Sequence, residues 1–449
     1  GTRLGITPVI GDTLVTHTWL EEHSTATYLA TFAIGAFQEL AFTGATVPVA
    51  VFSRATDTAA SRISYARVPE MTNTFAALYG PYPFDKVGYV NTTRGAMEHQ
   101  TMISMPVSVV SQKDSNNGTA AHELAHMWFG DLVTPLDFRH AWLTESFATY
   151  SEAAWLESYS GFDVYLESMQ KGAQGYVTGI SRREGVFPLY DFVRTPPSSN
   201  YPETIYRKGA NVLSMLRQLV GTATFYDVLK AYLNEHAYAT ATTEDMKAAF
   251  APVMQGRADA FFNEWIYGKG WPMLAVDLRP SHSSWVVTIR QVQKVQHADW
   301  PLFTTLPLNV VYTDAVTGVK VDTVMMIDKE EISFEIDSPD ELGINAGSKC
   351  RSLVEVTSMT TVLEPRSVQD HLMVLPNPAW DSVTLRRSAA DENARIDIVN
   401  TEGQRVFSAI FLEGETDLSM SIKGWPAGAY TVRLLSESVI TAAPLVLAP

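Results

Sequence analysis

The chain has 449 residues, which is enough for two to four domains. Its composition is that of a globular protein, with 46% hydrophobic and 18% charged residues. Its formal net charge of -16 excludes a basic nucleic-acid-binding protein. Cys350 is the single cysteine, so neither an intrachain disulfide nor a cysteine zinc site can form, and any metal must be bound by histidine and carboxylate.

The first predicted elements are strands. Residues 27–35 are rich in β-branched and aromatic side chains, and residues 47–52 form a second short run of this kind. From about residue 57 to residue 270 the pattern becomes helical. The clearest predicted helices span residues 118–130, 141–158, 208–220 and 243–253, and the last of them opens with a capping sequence at Thr242.

After Gly270 the pattern returns to short strands, at residues 286–290, 306–312 and 321–327, which predicts a β-sandwich. A linker is predicted near residues 363–367. A second all-β module follows it, with alternating segments at residues 396–398 and 430–434. No run of about 20 apolar residues occurs, so no transmembrane helix is predicted. The sequence opens with Gly1-Thr2-Arg3 and shows no signal-peptide pattern, as is expected of a mature form or a fragment.

The strongest motif is His122-Glu123-Leu124-Ala125-His126, which has the HExxH pattern. Residues four apart share one face of a helix, so both imidazoles can reach one ion. Zinc accepts imidazole nitrogen readily, and Glu123 is then placed to accept a proton from the water that attacks the substrate.

A third ligand is expected from the next predicted helix. Glu145 follows His126 after eighteen intervening residues, and two histidines with one glutamate leave a fourth zinc position open, as in catalytic sites. Glu152 and Glu157 lie on the same segment and are alternative third ligands.

The HExxH pattern, the eighteen-residue gap and the distant glutamate resemble the aminopeptidase N family of zinc metallopeptidases. Residues 95–99, Gly-Ala-Met-Glu-His, are similar to the family's Gly-x-Met-Glu-Asn motif. Residues 206–209, Tyr-Arg-Lys-Gly, match its Tyr-x-Lys-Gly motif, and residues 28–35 are similar to the end of its amino-terminal β domain. The resemblance covers roughly residues 13–365.

The resemblance implies a role for each matching residue. Glu98 would bind the free α-ammonium of the substrate, which implies removal of amino-terminal residues. Gly95, Ala96 and Met97 would lie along the substrate backbone. Tyr206 would donate its hydroxyl to the oxyanion of the tetrahedral intermediate.

Some residues depart from the family pattern. His99 stands in place of the motif's asparagine, and Thr144 and Ser146 flank Glu145 where asparagine and glycine are common. These departures leave the surroundings of the ligands and the substrate preference open. The family's amino-terminal β domain is expected to be represented only by its last 50 residues or so.

The carboxy-terminal segment carries its own resemblance. Leu375-Pro376-Asn377-Pro378, a turn at residues 400–404 and residues 424–430 resemble, in this order, the sorting domain of the type IX secretion system of Gram-negative bacteria. The resemblance implies contact with that secretion machinery and a secreted or cell-surface location. A generic immunoglobulin-like accessory domain is the alternative.

The expected fold is therefore multidomain α+β, with a mainly helical, thermolysin-like catalytic domain, residual β strands before it and two β-sandwich modules after it. The predicted parts are a remnant of the amino-terminal β domain at 1–52, the catalytic domain at 53–270, a β-sandwich at 271–365 and the sorting domain at 366–449. The expected function is that of a secreted aminopeptidase with one zinc ion per chain, acting on peptides with a free amino terminus. An endopeptidase with an opened site and a catalytically inactive surface-binding protein are the alternatives.

Overall fold

The computed structural model describes residues 1–9, 11, 13–192, 201–281, 284–361, 371–388, 393–436 and 440–448. Helices occupy its middle, and strand-rich sheets lie at both ends of the sequence, which confirms the multidomain α+β class. Within these ranges no helix is both long and apolar enough to cross a membrane.

The first part of the chain builds a hairpin and a mixed sheet. The elements in chain order are β1 (Thr2–Pro8), β2 (Val15–Leu20), β3 (Phe37–Phe42), β4 (Val49–Arg54), α1 (Thr58–Ser64), α2 (Val68–Tyr79), β5 (Val87–Thr92) and β6 (Ile103–Pro106). Strands β1 and β2 pair with each other, while β3 is antiparallel to β4 in the four-stranded sheet β3-β4-β5-β6. Strands β4, β5 and β6 run parallel, and helices α1 and α2 form the crossover from β4 to β5.

The strand predicted at residues 27–35 is wrong. Thr27–Leu29 forms a 3-10 helix, and residues 30–36 have no regular structure. Phe32 and Ile34, the residues that favoured a strand, are 84% and 90% exposed. A strand needs a hydrogen-bonded neighbour, and β propensity alone cannot supply one. The strand predicted at residues 47–52 is present as β4.

The middle of the chain is mainly helical. The elements that follow are α3 (Val107–Val110), α4 (Gly118–Ala125), β7 (Val133–Pro135), α5 (Trp142–Ser160), α6 (Phe162–Gly175), α7 (Ser181–Glu184), α8 (Thr204–Val220), α9 (Thr222–Glu235), β8 (Ala239–Ala241), α10 (Thr243–Phe250) and α11 (Ala258–Trp265). The four helices predicted most clearly correspond to α4, α5, α8 and α10, although α4 ends at Ala125 and is followed by turns up to Gly130.

Side-chain caps fix the beginnings of two of these helices. The Asn117 side chain accepts a hydrogen bond from the Ala120 amide at 3.1 Å, which sets the start of α4 just before the HExxH motif. Thr242 and Asp245 form a reciprocal capping box at the start of α10, as the sequence predicted.

Helices α5 and α8 pack together at very short distance around Gly209. A Cβ atom at Gly209 would lie 1.8 Å from Oγ of Ser146 and 2.5 Å from its Cβ, so only glycine fits there. The Ser146 hydroxyl donates a hydrogen bond to the carbonyl of Ile205 on α8. This contact sets the spacing between the helix that carries Glu145 and the helix that carries Tyr206.

The next part forms two small sheets. Its elements are β9 (Met273–Ser281), β10 (Ser284–Gln291), α12 (Gln293–Gln296), β11 (Leu306–Thr313), β12 (Lys320–Ile327), β13 (Glu331–Ile336), β14 (Gly343–Ile344) and β15 (Glu355–Thr361). One sheet has the order β13-β10-β9-β15 and the other β12-β11-β14. The three strands predicted here are present as β10, β11 and β12.

These sheets share a hydrophobic core with the helices. One continuous cluster of buried apolar side chains contains residues from Leu40 to Leu353 and also Leu435. At the junction the Trp265 and Phe303 rings lie 4.4 Å apart, and the Trp265 indole donates to the Thr305 hydroxyl at 3.1 Å. The Glu264 carboxylate accepts from the Thr304 and Thr305 amides at 2.9 and 3.1 Å. The helical part and the following sheets therefore pack as one body.

The last part is a second all-β unit. Its strands are β16 (Met373–Leu375), β17 (Ser382–Arg386), β18 (Ala394–Val399), β19 (Arg405–Phe411), β20 (Asp417–Ser421), β21 (Gly428–Leu435) and β22 (Ile440–Leu447). They form the sheets β16-β17-β20 and β19-β18-β21-β22, which enclose a hydrophobic cluster of their own. The segments predicted at 396–398 and 430–434 lie in β18 and β21, while the predicted linker at 363–367 falls outside the described residues.

Candidate metal centre and active site

Three side chains from two helices converge on one point. His122 lies on α4, His126 follows its last residue, and Glu145 lies in the first turn of α5. The Nε2 atoms of His122 and His126 are 3.3 and 3.4 Å from Oε2 of Glu145. The three residues form a cluster whose ligand atoms all lie within 4.8 Å of one another.

The spacing of these atoms fits a zinc ion. Two ligands about 2.0–2.1 Å from a tetrahedral ion lie about 3.3–3.4 Å apart. The two nitrogen–oxygen distances in the structure, 3.3 and 3.4 Å, have this value. Two imidazole nitrogens with one carboxylate oxygen are also the donor set of catalytic zinc sites, which keep a fourth position open.

The other nitrogen of each imidazole is already engaged. Nδ1 of His122 lies 2.8 Å from Oε1 of Glu152, and Nδ1 of His126 lies 3.0 Å from the carbonyl oxygen of Phe129. Both partners are acceptors, so each Nδ1 must carry the proton. Nε2 is then the nitrogen that can bind a metal ion once it has lost its own proton.

Glu152 and Glu157, the two alternative third ligands, do not lie where Glu145 lies. Glu152 contacts the far side of the His122 ring, seven residues and two helical turns after Glu145. Glu157 instead forms a two-pronged ion pair with Arg217 of α8, at 2.6 and 2.8 Å. Of the three glutamates on α5, Glu145 alone lies in the cluster with both histidines.

We expect Glu152→Ala to weaken zinc binding about 10- to 100-fold while the three ligands stay in place, because an orienting carboxylate holds the His122 tautomer and ring. Zinc affinity measured by chelator competition checks this. Glu167→Ala, an exposed carboxylate on α6, is the matched control and should bind zinc like the original chain. Equal zinc affinity in both variants would contradict the orienting role of Glu152.

The electrostatics of the cluster favour a bound cation. Burial opposes charge on His126, but Glu98 and Glu145 outweigh this effect and raise its pKa to about 9. Burial likewise opposes charge on Glu145, yet hydrogen bonds with His122 and His126 lower its pKa. The buried carboxylates thus stabilise positive charge at this point of the structure. A divalent ion would supply that charge while both imidazoles stay neutral.

Two further carboxylates lie beside the cluster. One oxygen each of Glu98 and Glu123, with a ring nitrogen of His126, all lie within 4.8 Å of one another. Burial raises the pKa of Glu123 to about 7 in this setting. A buried carboxyl group in this position is a candidate for proton transfer.

The segment at residues 95–98 is held against β6 as a strand edge. The amide of Met97 donates to the carbonyl of Ser104 at 3.1 Å, and the Ser104 amide donates back at 2.9 Å. Gly95 has no atom within 4 Å of where a Cβ would be, so its backbone is open to approach. Glu98 follows this bridge and is buried beside Glu123.

Tyr206 approaches the cluster from α8. Its ring lies 6.0 Å from the His122 ring at an interplanar angle of 24°. Burial and then the nearby Glu145 carboxylate raise the pKa of its hydroxyl, which therefore stays a proton donor. Two residues on, the buried Lys208 donates from Nζ to the Gly268 carbonyl at 3.3 Å, which ties this turn of α8 to the chain beyond α11.

Residues that sequence reasoning missed or assigned differently also lie at the site. The sequence analysis offers Glu152 as an alternative ligand and not as a hydrogen-bond partner of His122. Its spacing of seven residues from Glu145 places both carboxylates on one face of α5, and this was the available sign of its position. Asp131 was not singled out, although it is buried and its pKa is raised by burial and then by Glu98 and Glu123. Tyr28 lies near Glu98 and Asp131, which, after burial, raise the pKa of its hydroxyl.

The helices bring an HExxH motif and a distant glutamate together in one cluster. Residues 61–265 match the family model for the Peptidase family M1 domain, and residues 373–447 match that for the Secretion system C-terminal sorting domain. The chain therefore contains an M1 peptidase domain, which belongs to the aminopeptidase N family, followed by a sorting domain for secretion.

Curated relatives are similar to part of this chain. Tricorn protease-interacting factor F2 of Thermoplasma volcanium is 31% identical over 211 residues, which are 44% of this chain and 27% of that protein. Aminopeptidase M1-A of Oryza sativa is 27% identical over 271 residues, 57% of this chain and 31% of the relative. The chain thus spans about three tenths of the length of these relatives.

Solved structures share the fold. An M1 zinc metallopeptidase from Deinococcus radiodurans, a mutant bound to a Tyr-ser-ala substrate, superposes with a TM-score of 0.53 at 23% identity and covers 61% of both chains. Aminopeptidase A of Legionella pneumophila, in complex with aspartic acid, has a TM-score of 0.63 at 17% identity, over 79% of this chain and 42% of that one.

Proposed function

We propose that this protein is a secreted zinc aminopeptidase that removes amino-terminal residues from peptides. The observation that carries the proposal is the convergence of His122, His126 and Glu145 at zinc-ligand spacing, with Glu98 and Glu123 directly beside them. The aminopeptidases among the relatives support the reaction class.

One zinc ion per chain would be held by Nε2 of His122, Nε2 of His126 and the Glu145 carboxylate. When bound, it supplies Lewis acidity that polarises the scissile carbonyl and acidifies the attacking water. The engaged Nδ1 atoms of both histidines keep the ligand nitrogens aimed at the ion.

Glu123 acts as the general base and then as the general acid. It accepts one proton from water while the water oxygen bonds to the scissile carbonyl carbon. It then gives that proton to the leaving nitrogen as the carbon–nitrogen bond breaks. Its position next to the first ligand and its burial suit both transfers. Tyr206 donates its hydroxyl to the oxyanion formed between the two steps.

Glu98 gives the reaction its exopeptidase character. Its carboxylate would accept hydrogen bonds from the substrate's α-ammonium, so that the first peptide bond lies over the ligand cluster. The backbone of Gly95, Ala96 and Met97 would run beside the substrate as a strand edge, since β6 already fixes this segment on its other side.

The sorting domain supports a secreted or cell-surface location in a Gram-negative bacterium, reached through the type IX secretion machinery. Residues 373–447 match a sorting domain and fold as a β unit with its own core. Immunodetection of the native protein in culture medium, outer membrane and cytosol tests this. Retention in the cytosol of a strain with an intact secretion system would contradict it.

We expect Glu98→Gln to lower kcat/KM for amino-acid anilides about 10²-fold or more, because a charged hydrogen bond to a buried ammonium is lost. Hydrolysis of free and amino-blocked anilides, with and without zinc removal, checks this. Blocked substrates should be poor for the original chain and no worse for the variant. Glu167→Gln, on the exposed face of α6, is the control and should leave both rates unchanged.

Each other result selects an alternative. Equal cleavage of blocked and free substrates by the original chain would favour an endopeptidase with an opened site. Zinc binding by a folded chain without cleavage of either substrate would favour a surface-binding protein that has kept the fold.

A further inference from the structure

Thr243, the first residue of α10, is hydrogen-bonded to the residues around the start of α5. The Trp142 indole donates to its hydroxyl oxygen at 2.9 Å. Nδ1 of His140 lies 2.9 Å from the same oxygen and also accepts a hydrogen bond from the Thr243 amide at 3.0 Å. All three residues are buried. Residues 140–142 are therefore tied to α10 at one point in the interior.

This contact lies just before the turn of α5 that carries Glu145. His140 ends the 3-10 helix Phe138–His140, and α5 begins two residues later at Trp142. The amide of Glu145 donates to the carbonyl of Ala141, the residue after His140, at 3.2 Å. A metal ligand must be held within about 0.5 Å of its working position. A shift of residues 140–142 would therefore pass directly to the proposed third ligand.

The hydrogen bonds of His140 fix its protonation state. A backbone amide can only donate, so Nδ1 must be an unprotonated acceptor, and the proton of the neutral ring must lie on Nε2. A second proton, on Nδ1, would point at the N–H of Thr243 and break this hydrogen bond. It would also place a positive charge at the amino terminus of α10, where the helix dipole is already positive. The contact therefore requires a neutral imidazole.

The ionisable groups around His140 give a protonated ring little support. Asp137 and Arg139, on its own segment, pair with each other at 2.7 Å on the surface. On α10 the carboxylate of Asp245 accepts the hydrogen bonds of the capping box. The ring of Tyr190 lies 5.0 Å away. Burial lowers the pKa of His140, Arg139 adds to this effect, and the carboxylates of Asp137 and Asp245 oppose it only in part.

We propose that His140 is a positioning residue for Glu145, which it holds in place as a neutral imidazole and releases on protonation. The inference rests on the proposed zinc centre and adds an acid-sensitive support to it. His140 takes up a proton more readily when the start of α5 is free than when zinc holds it. Acid should therefore weaken zinc binding beyond the loss that the ligand histidines themselves cause.

The test compares zinc affinity of His140→Asn and of the original full chain by chelator competition. It is done at about pH 7.5 and about pH 5, on either side of the ordinary histidine pKa. The asparagine Oδ1 takes the place of Nδ1, accepts from the Thr243 amide and does not titrate. We expect similar affinities at the higher pH. At the lower pH the variant should bind zinc about 3- to 10-fold more tightly, which corresponds to one buried hydrogen bond.

Controls separate this role from a merely structural one. His140→Ala lacks the acceptor at every pH, so it should bind zinc about 3- to 10-fold more weakly than the original chain at the higher pH. His17→Asn, the same change at an exposed residue of β2, should keep the original pH dependence. If His140→Asn does not fold, Thr243→Pro removes the same N–H at a helix position that tolerates proline, and it should also abolish the additional acid loss.

Two results would overturn the proposal. One is a ratio of zinc affinities at the two pH values that is the same for His140→Asn and the original chain, whatever the absolute affinities. The other is unchanged zinc affinity of His140→Ala at the higher pH. Failure of the proposed zinc centre itself would be visible separately, because the original chain would then bind no zinc at either pH.

Discussion

Glu123→Gln is expected to lower kcat for an amino-acid anilide about 10²- to 10⁴-fold, because a glutamine amide cannot accept the proton that water must lose. The three proposed ligands do not change, so the variant should still bind one zinc ion per chain. Glu123 is buried and has an oxygen within 4.8 Å of a His126 ring nitrogen, so the loss of charge falls directly at the cluster.

The measurement is kcat of the zinc-loaded variant beside its metal content and its thermal unfolding temperature. Glu167→Gln is the matched control, since it makes the same change on an exposed face. A Glu123→Gln variant that binds zinc and retains a tenth or more of the original kcat would rule out Glu123 as the general base.

Gly209→Ala is expected to destabilise the protein by about 1–3 kcal/mol or more, because its Cβ would lie 1.8 Å from Oγ of Ser146. To relieve this clash, helix α5 must move away from α8. Glu145 directly precedes Ser146, so the same movement should displace a proposed ligand and weaken zinc binding. Denaturant unfolding and chelator competition measure the two effects.

A second substitution makes this prediction sharper. In Gly209→Ala with Ser146→Gly, both clashing side-chain atoms are gone, and the nearest remaining atom of residue 146 is Cα at 3.4 Å. The double variant should therefore be more stable than Gly209→Ala, although glycine in a helix costs about 1 kcal/mol. Stability losses that simply add would show that the two helices do not collide at this point.

The ligand motif was readable from the sequence because its geometry is local. His122 and His126 are four residues apart on one helix, and this spacing alone places two imidazoles on one face. The position of Glu145 relative to them depends on how α5 packs, which periodicity does not give. The fixed eighteen-residue gap, known through a resemblance, supplied that missing information.

The structure gives the reason for one departure from the family pattern, the serine at residue 146. Ser146 stands where the family commonly has glycine, and it faces Gly209 of the Tyr-x-Lys-Gly motif. The small side chain at residue 209 is what makes room for the serine hydroxyl, which bonds to α8. This contact depends on how the two helices pack, so it cannot be predicted from either residue alone.

Other features lay beyond sequence reasoning for similar reasons. Phe32 and Ile34 have the side chains of a strand, but strand formation depends on a partner at hydrogen-bonding distance. The predicted domain boundaries at residues 52, 270 and 365 remain predictions.

The core shared by the helices and the sheets after Gly270 bears on how this protein could be shortened. The M1 match ends at residue 265, yet the Trp265 ring is buried against Phe303, and Glu264 holds the backbone at Thr304 and Thr305. A fragment cut where the family match stops would present that tryptophan to water and leave a carboxylate without its donors. The smallest unit expected to fold alone is therefore larger than the family match and extends to about Thr361, the end of β15, which pairs with β9.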